Sequence, residues 1–173
     1  MKMVMCMKIL LLFYLLDQDR YKLSLMTYNV IGDFFMLINY TSKEVDLMAR
    51  LMRAEALSDG DMGMLMVGNV IVNRVIANCD IFKNVRTIYK VVYQNPGGFV
   101  GTDSSLFQSS ATTKEKNLAK RCLRGEYFYP ATHALWFNAR NTCSSTWYNM
   151  PLAGKYKSHC FYNPKEGMCP EII

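Results

Sequence analysis

The sequence contains few residues of the kinds that bind metal ions. It has two histidines, His133 and His159, and none of its six cysteines belongs to a C-x-x-C pair. The three cysteines nearest to His159 in the sequence are Cys143, Cys160 and Cys169. Their spacing with His159 matches no standard zinc pattern, so we predict no metal site. We expect buried thiols or oxidative cross-links instead, and cysteine usage leaves the redox compartment open.

The sequence also lacks the signals of nucleic-acid binding. Its formal net charge is +6, but the lysines and arginines are scattered and no nucleic-acid motif is present. A basic protein suits an anionic partner, such as nucleic acid, an acidic membrane surface or a cell wall rich in carboxylates and phosphates. Because charge is the only feature that suggests nucleic acid, we predict no nucleic-acid partner.

The first 40 residues lack a hydrophobic run that would span a bilayer. The apolar run 9–16 follows Lys2 and Lys8, but it is too short and no A-x-A-like cleavage site comes after it. An uncleaved arm with weak membrane association, a poor signal and translated upstream sequence are three interpretations that stay open. A chain of 173 residues suits one domain. We assign residues 1–40 to an N-terminal extension and residues 41–173 to the body.

The body begins with helices and ends with strands. Thr41 and Glu44 form a T-x-x-E capping box that starts the first helix, and "SDGDMG" stops it. Asp61 is the predicted N-cap of a second helix, and residues 114–123 form an amphipathic helix. Between them "VRTIYKVVYQ" is a short helix or a strand, and "NPGGFVGTDSS" is a loop. "HALWFNA", "STWYNM" and "KSHCFYN" are typical of short antiparallel strands, so we predict an α+β fold.

Glu55 lies in the last turn of the first predicted helix, on its apolar face. At 100° per residue this face also carries Met48, Leu51 and Met52. The opposite, polar face carries Asp46, Arg50 and Arg53. One explanation for Glu55 is that its carboxylate reaches past the apolar face to solvent or pairs with an arginine. The other is a carboxyl in an apolar pocket, whose pKa rises above the ordinary value of about 4.3 because desolvation disfavours the charged form. Such a group can act as the general acid in glycoside cleavage.

Several motifs resemble one family in their order and spacing. "LMARLMRAEALSDGDMGMLMVGNVIVNRV" resembles the core signature of the bacterial cell-wall hydrolases typified by SleB and CwlJ, which degrade spore cortex. "TIYKVVYQNPGGF" resembles a loop of that family, while "ALWFNARNTCSSTWYNMP" and "KSHCFY" resemble the C-terminal strands of the CwlJ branch. The resemblance covers residues 41–169, and it is closer to CwlJ than to SleB.

This resemblance implies a lysozyme-like helical domain with a small antiparallel sheet. It also implies that Glu55 is the catalytic acid of an enzyme that cleaves peptidoglycan glycan strands, as lytic transglycosylases do, during germination. No cofactor is needed for that chemistry. Calcium-dipicolinate as an activator, a spore coat docking protein as a partner, and a position at the boundary of coat and cortex are further implications.

A hydrolase with paired carboxylates would need a second acid near Glu55. Asp59 and Asp61 are the nearby options, but both lie at a connection between helices, where capping explains them. Substrate contacts are expected from aromatic rings that stack on sugars and from amides that bind acetamido groups. The predicted substrate-binding residues are Asn73, Tyr93, Gln94, Phe99, Gln108, Trp136, Tyr148 and His159. The alternative for any single aromatic ring is that it belongs to the core. The alternative for Asn73 is a structural role.

Two other functions compete with a glycan-cleaving enzyme. A non-catalytic coat protein would use the six cysteines and eleven tyrosines for cross-linking. Such a protein would gain nothing from burying a carboxylate such as Glu55. A zinc-dependent amidase would need more metal ligands than His133 and His159.

Overall fold

The structure is a computed structural model that describes residues 37–172. The predicted arm and Cys6 therefore lie outside the described residues, apart from residues 37–40. Within them, five α-helices precede a four-stranded antiparallel sheet of order β1-β4-β3-β2. The helices are α1 (Ser42–Ala56), α2 (Gly60–Ile76), α3 (Ile88–Val92), α4 (Ser105–Gln108) and α5 (Thr113–Leu123). The strands are β1 (Trp136–Ala139), β2 (Thr146–Trp147), β3 (Met150–Tyr156) and β4 (His159–Tyr162). This order confirms the predicted α+β fold.

The predicted start of α1 is confirmed, whereas that of α2 is wrong. Thr41 Oγ1 accepts from the Glu44 backbone N–H at 3.2 Å, and Glu44 Oε2 accepts from the Thr41 N–H at 3.0 Å. A 3₁₀ turn, Leu57–Asp59, continues from α1, so that α2 already begins at Gly60. Asp61 therefore lies inside the first turn of α2, where its carboxylate pairs with Lys114 Nζ at 2.7 Å. The segment left open between helix and strand forms α3, with Thr87 as its N-cap.

The main core lies between α1, α2 and α5. The apolar face of α1 is fully buried there, including Met48, Leu51 and Met52. A Cβ at Gly68 of α2 would lie 2.6 Å from Cys122 Sγ of α5, so glycine permits the close approach of these two helices. Since α1 ends beside this core, the position of Glu55 is set by packing along the whole helix.

Arg53 was predicted on the polar face of α1, but it is only 7% exposed. Its Nη1 lies 3.0 Å from Glu115 Oε2, at the start of α5. The guanidinium also donates to the backbone carbonyls of Leu106, Ser109 and Ser110. The segment 105–110 thus covers this part of α1, and the several donors of one arginine bind three of its backbone carbonyls.

Two disulfides close the C-terminal half of the body. Cys79 is bonded to Cys169, and Cys143 is bonded to Cys160, while Cys122 is free and buried. The expectation of buried thiols or cross-links thus accounts for every cysteine that the structure describes. Within residues 37–172 no cluster of three or more His, Cys, Asp or Glu side chains is arranged to hold a metal ion. None of the helices in this same range is both long and apolar enough to traverse a membrane.

Residues 37–40 already pack against this body. The Leu37 N–H donates to the Leu123 carbonyl at 3.3 Å, and Ile38 and Tyr40 contact the main core. We expect deletion of residues 1–36 to change the melting temperature by less than about 3 °C, the scale of a surface change. Deletion of residues 1–40 is the comparison, and it should cost more because these contacts are lost. A fall of more than about 10 °C in thermal unfolding of the shorter deletion would show that the body is not self-contained.

Candidate active site

Glu55 projects from the last turn of α1 and is partly buried. Its Oε1 accepts a hydrogen bond of 2.7 Å from the backbone N–H of Gly101, in the short 3₁₀ helix Val100–Asp103. Burial raises the pKa of the Glu55 carboxyl, although the Gly101 hydrogen bond, the charge that His159 carries when its ring is protonated, and the charge of Arg74 lower it in part. A carboxyl of this kind retains its proton to a higher pH than an exposed glutamate, which suits a proton donor.

The Glu55 carboxyl opens into a cavity of about 590 Å³. The loop 97–100 and strand β1 contribute most of its lining, and the remainder comes from Glu55, Arg74, Trp147, Tyr148 and His159. Among the described residues that line this cavity, Glu55 is the only carboxylic acid. Aromatic rings, one acid and a few polar groups in one concave site are typical of a binding site for an organic ligand.

Arg74 holds the loop of this cavity against the sheet. Its Nε donates to the Leu135 carbonyl at 2.8 Å, and its Nη1 donates to the Gly97 carbonyl at 3.1 Å. The guanidinium also lies 4.6 Å from the centroid of the Phe99 ring. Complete burial lowers the pKa of Arg74 to about 10, so it remains charged at neutral pH and favours the ionised form of Glu55. Arg74 was not among the predicted substrate-binding residues, although its neighbour Asn73 was.

Asp59 occupies the N-cap position of α2, but its side chain makes no capping hydrogen bond, contrary to the prediction. Its carboxylate is 4% exposed and accepts from Ser158 Oγ at 3.0 Å and from His159 Nδ1 at 2.6 Å. Asp59 therefore lies behind His159, and neither it nor Asp61 lines the cavity of Glu55. The explanation of Asp59 by capping failed because its partners lie about a hundred residues later in the sequence.

Four predicted substrate-binding residues share the cavity with Glu55. These are Phe99, Trp136, Tyr148 and His159. Tyr148 is 82% exposed, so its ring is available at the rim. The prediction omitted Trp147 and Asn138, which line the same cavity. Trp147 adjoins Tyr148 in the quoted aromatic motif, which was the available signal, whereas no sequence signal pointed to Asn138.

The other four predicted residues lie elsewhere. Tyr93 and Gln94 line a separate groove of about 580 Å³, and Gln108 Nε2 donates to the Thr102 carbonyl at the surface. Asn73 is 2% exposed, and its Nδ2 donates to carbonyls of the segment that leads into β1, at Ala131, Thr132 and Ala134. The alternative weighed for Asn73 from the sequence, that it ties α2 to the sheet, describes these contacts.

Solved structures share this fold. The catalytic domain of the SleB protein from Bacillus cereus superposes with a TM-score of 0.58 at 22% identity, over 72% of this chain and 93% of that one. The catalytic domain of the germination-specific lytic transglycosylase SleB from Bacillus anthracis also superposes with a TM-score of 0.58. The two chains are 21% identical, and the match covers 72% of this chain and 98% of that one. The expected lysozyme-like arrangement of helices with a small sheet is therefore confirmed.

Sequence comparison gives the family. The cell wall hydrolase CwlJ of Oceanobacillus iheyensis is 49% identical over 138 residues, which is 79% of this chain and 98% of the relative. The cell wall hydrolase CwlJ of Bacillus subtilis is 44% identical over 137 residues, with coverage of 79% and 96%. A family model described as Cell Wall Hydrolase matches residues 58–162, and this match begins three residues after Glu55. This chain belongs to the cell wall hydrolase family.

Proposed function

We propose that this enzyme cleaves the glycan strands of spore cortex peptidoglycan as a lytic transglycosylase, with Glu55 as general acid and then general base. The observation that carries the proposal is the single, partly buried carboxyl that opens into an aromatic cavity and has a raised pKa. The relatives named cell wall hydrolase CwlJ support peptidoglycan as the substrate. The neighbour named a germination-specific lytic transglycosylase supports the reaction type and the setting.

The proposed reaction needs one carboxyl. Glu55 gives its proton to the glycosidic oxygen while the bond between that oxygen and the anomeric carbon breaks. The muramoyl 6-hydroxyl then attacks the anomeric carbon and closes a 1,6-anhydro ring, and its proton goes to Glu55. The carboxyl is thus regenerated, and no water is consumed. A raised pKa favours a group that donates and then accepts a proton near neutral pH.

The cavity offers groups that suit a sugar chain. Trp136, Trp147 and Tyr148 line the cavity with aromatic side chains, a type of group on which the apolar faces of pyranose rings stack. Asn138 also lines the cavity, and its amide nitrogen and oxygen are buried without a hydrogen-bond partner among the described residues. Its donor and acceptor match those of an acetamido group. These contacts would place the glycosidic oxygen beside Glu55.

The cellular setting is proposed from the resemblance. A CwlJ-like enzyme would lie at the boundary of coat and cortex in a spore-forming bacterium, held by a coat docking protein and activated by calcium-dipicolinate. The competing function is a coat protein cross-linked through cysteine and tyrosine, and the described residues do not favour its cysteine part. Four of their five cysteines are paired within the chain, and Cys122 is buried.

The product distinguishes the proposed reaction from its rivals. Purified cortex treated with the protein should release muropeptides that end in 1,6-anhydro-muramic acid, each one water lighter than the hydrolysed product. Mass spectrometry of the released fragments measures this difference directly, and untreated cortex is the control. Reducing-end muramic acid as the main product would instead indicate hydrolysis. Absence of soluble glycan fragments from a folded sample would contradict an enzyme of this class.

A further inference from the structure

The hairpin turn between β3 and β4 anchors His159 to the connection between α1 and α2. Lys157 Nζ donates to the Asp59 carbonyl at 2.7 Å, and Ser158 Oγ donates to both carboxylate oxygens of Asp59 at 3.0 Å. His159 Nδ1 donates to Asp59 Oδ2 at 2.6 Å. The Phe137 ring also meets the imidazole edge-on, with ring centroids 5.2 Å apart. The contacts that the His159 ring itself makes, with Asp59 and Phe137, fix its position, whereas the bond of Lys157 only joins the turn to the backbone of Asp59.

The second nitrogen of His159 is free for another partner. Nε2 makes no hydrogen bond to any residue in the described part of the chain, although the imidazole lines the cavity of Glu55. Because a carboxylate only accepts, the contact with Asp59 keeps the proton on Nδ1. In the neutral ring Nε2 is then an acceptor, and its complement on a glycan is a hydroxyl group.

We propose that His159 binds substrate through Nε2, which accepts a hydrogen bond from a sugar hydroxyl, and that Asp59 is a positioning residue that fixes the tautomer and orientation of His159. This inference rests on the proposed function, because it assigns a ligand group within the same cavity. The alternative is that Asp59, Ser158 and His159 merely hold the hairpin in place. Two substitutions of His159 separate these explanations, because each places an amide where only one of the two ring nitrogens lies.

His159→Asn and His159→Gln form a matched pair. The amide of Asn reaches the place of Nδ1 and keeps a donor for Asp59, whereas the amide of Gln reaches the place of Nε2. In a Glu55→Gln background, in which turnover is expected to be at least about a hundredfold slower, titration calorimetry with a purified disaccharide-repeat tetrasaccharide from cortex measures affinity. We expect His159→Asn to bind about tenfold more weakly than its parent, the scale of one hydrogen bond, while remaining stable. We expect His159→Gln to retain more affinity with a lower melting temperature.

Lys157→Met is the control for a purely structural contact. It removes a hydrogen bond to Asp59 from the same turn, so it should lower the melting temperature without changing affinity. If His159→Asn binds as tightly as its parent, or if Lys157→Met weakens binding as much as His159→Asn does, the proposal is wrong.

Nitrogen NMR tests the tautomer without any substrate. The chain has two histidines, so in the His133→Gln variant the only imidazole nitrogen signals come from His159. At a pH at which the ring is neutral, we expect the proton on Nδ1, and we expect Asp59→Asn to move it in part to Nε2. A proton on Nε2 in the parent protein would overturn the proposal. Failure of the proposed function would appear elsewhere, as undiminished lysis by the Glu55→Gln protein.

Discussion

Glu55→Gln should reduce the release of cortex fragments by at least about a hundredfold, the lower end of the contribution of general acid–base catalysis. Glutamine keeps the length of the side chain and an oxygen that accepts from the Gly101 N–H. It lacks the ionisable proton that the glycosidic oxygen requires. Fragment release, measured from initial rates on purified cortex, therefore reports the chemistry more than the shape of the site.

The same substitution has a defined effect on stability. Burial raises the pKa of Glu55 in the folded protein. The stabilising effect of this shift is fully present below the pKa of the unfolded chain and is lost as the pH rises through the folded pKa. At neutral pH we therefore expect the Gln variant to be as stable as the parent or slightly more stable. If Glu55 only paired with an arginine, Gln would lower the melting temperature and leave lysis nearly intact.

Asp61→Asn is the matched control for the loss of a carboxylate. Asp61 is exposed, lies outside the cavity and pairs with Lys114 at the surface. A surface ion pair contributes at most about 1 kcal/mol, and its removal touches no group of the cavity. Activity of this variant should equal that of the parent. A Glu55→Gln protein that is folded and releases fragments at the parent rate would end the assignment of Glu55.

The features predicted correctly from the sequence are mostly local. The capping box of Thr41 and Glu44 involves residues three apart, and the apolar face of α1 follows from a period of 3.6 residues. Glu55 was notable because it interrupts that face, and the structure shows it at the edge of a cavity beside the core. Such arguments need no knowledge of which distant segment covers the helix.

The features that were missed depend on distant segments. Arg53 follows the polar period of α1, but its partner Glu115 is 62 residues away. The same holds for Asp59, for which capping was a sufficient local explanation, whereas its carboxylate accepts from Ser158 Oγ, 99 residues later in the sequence. Local patterns give the direction in which a side chain points, while burial depends on what packs there. Polar residues that satisfy distant backbone or side-chain groups are for this reason the hardest to predict.

Gly101→Ala should lower activity by about tenfold to a hundredfold with little loss of stability. A Cβ at this position would lie 2.7 Å from Oε1 of Glu55 and 3.0 Å from its Cδ, which is too close for ordinary contact. The backbone of Gly101 lies outside the left-handed region, so alanine itself adds no strain there. The flexible end of the Glu55 side chain moves more easily than the surrounding backbone. A displacement of about 1 Å in a catalytic group is enough to cost on the order of a hundredfold in rate.

A double-mutant cycle with Glu55→Gln tests whether the loss acts through the carboxyl. If Gly101→Ala works by displacing Glu55, it should reduce the residual activity of the Gln variant far less than that of the parent, because residues in direct contact are not additive. Fragment release and melting temperature are measured for all four proteins. An equal fold loss in both backgrounds would mean that Gly101→Ala disturbs the cavity by another route, such as its contact with Ala54, whose Cβ would lie 3.1 Å away. Parent-level activity of the single variant would show that the carboxyl has room to move without cost, and that its place beside the Gly101 N–H is not needed for proton transfer.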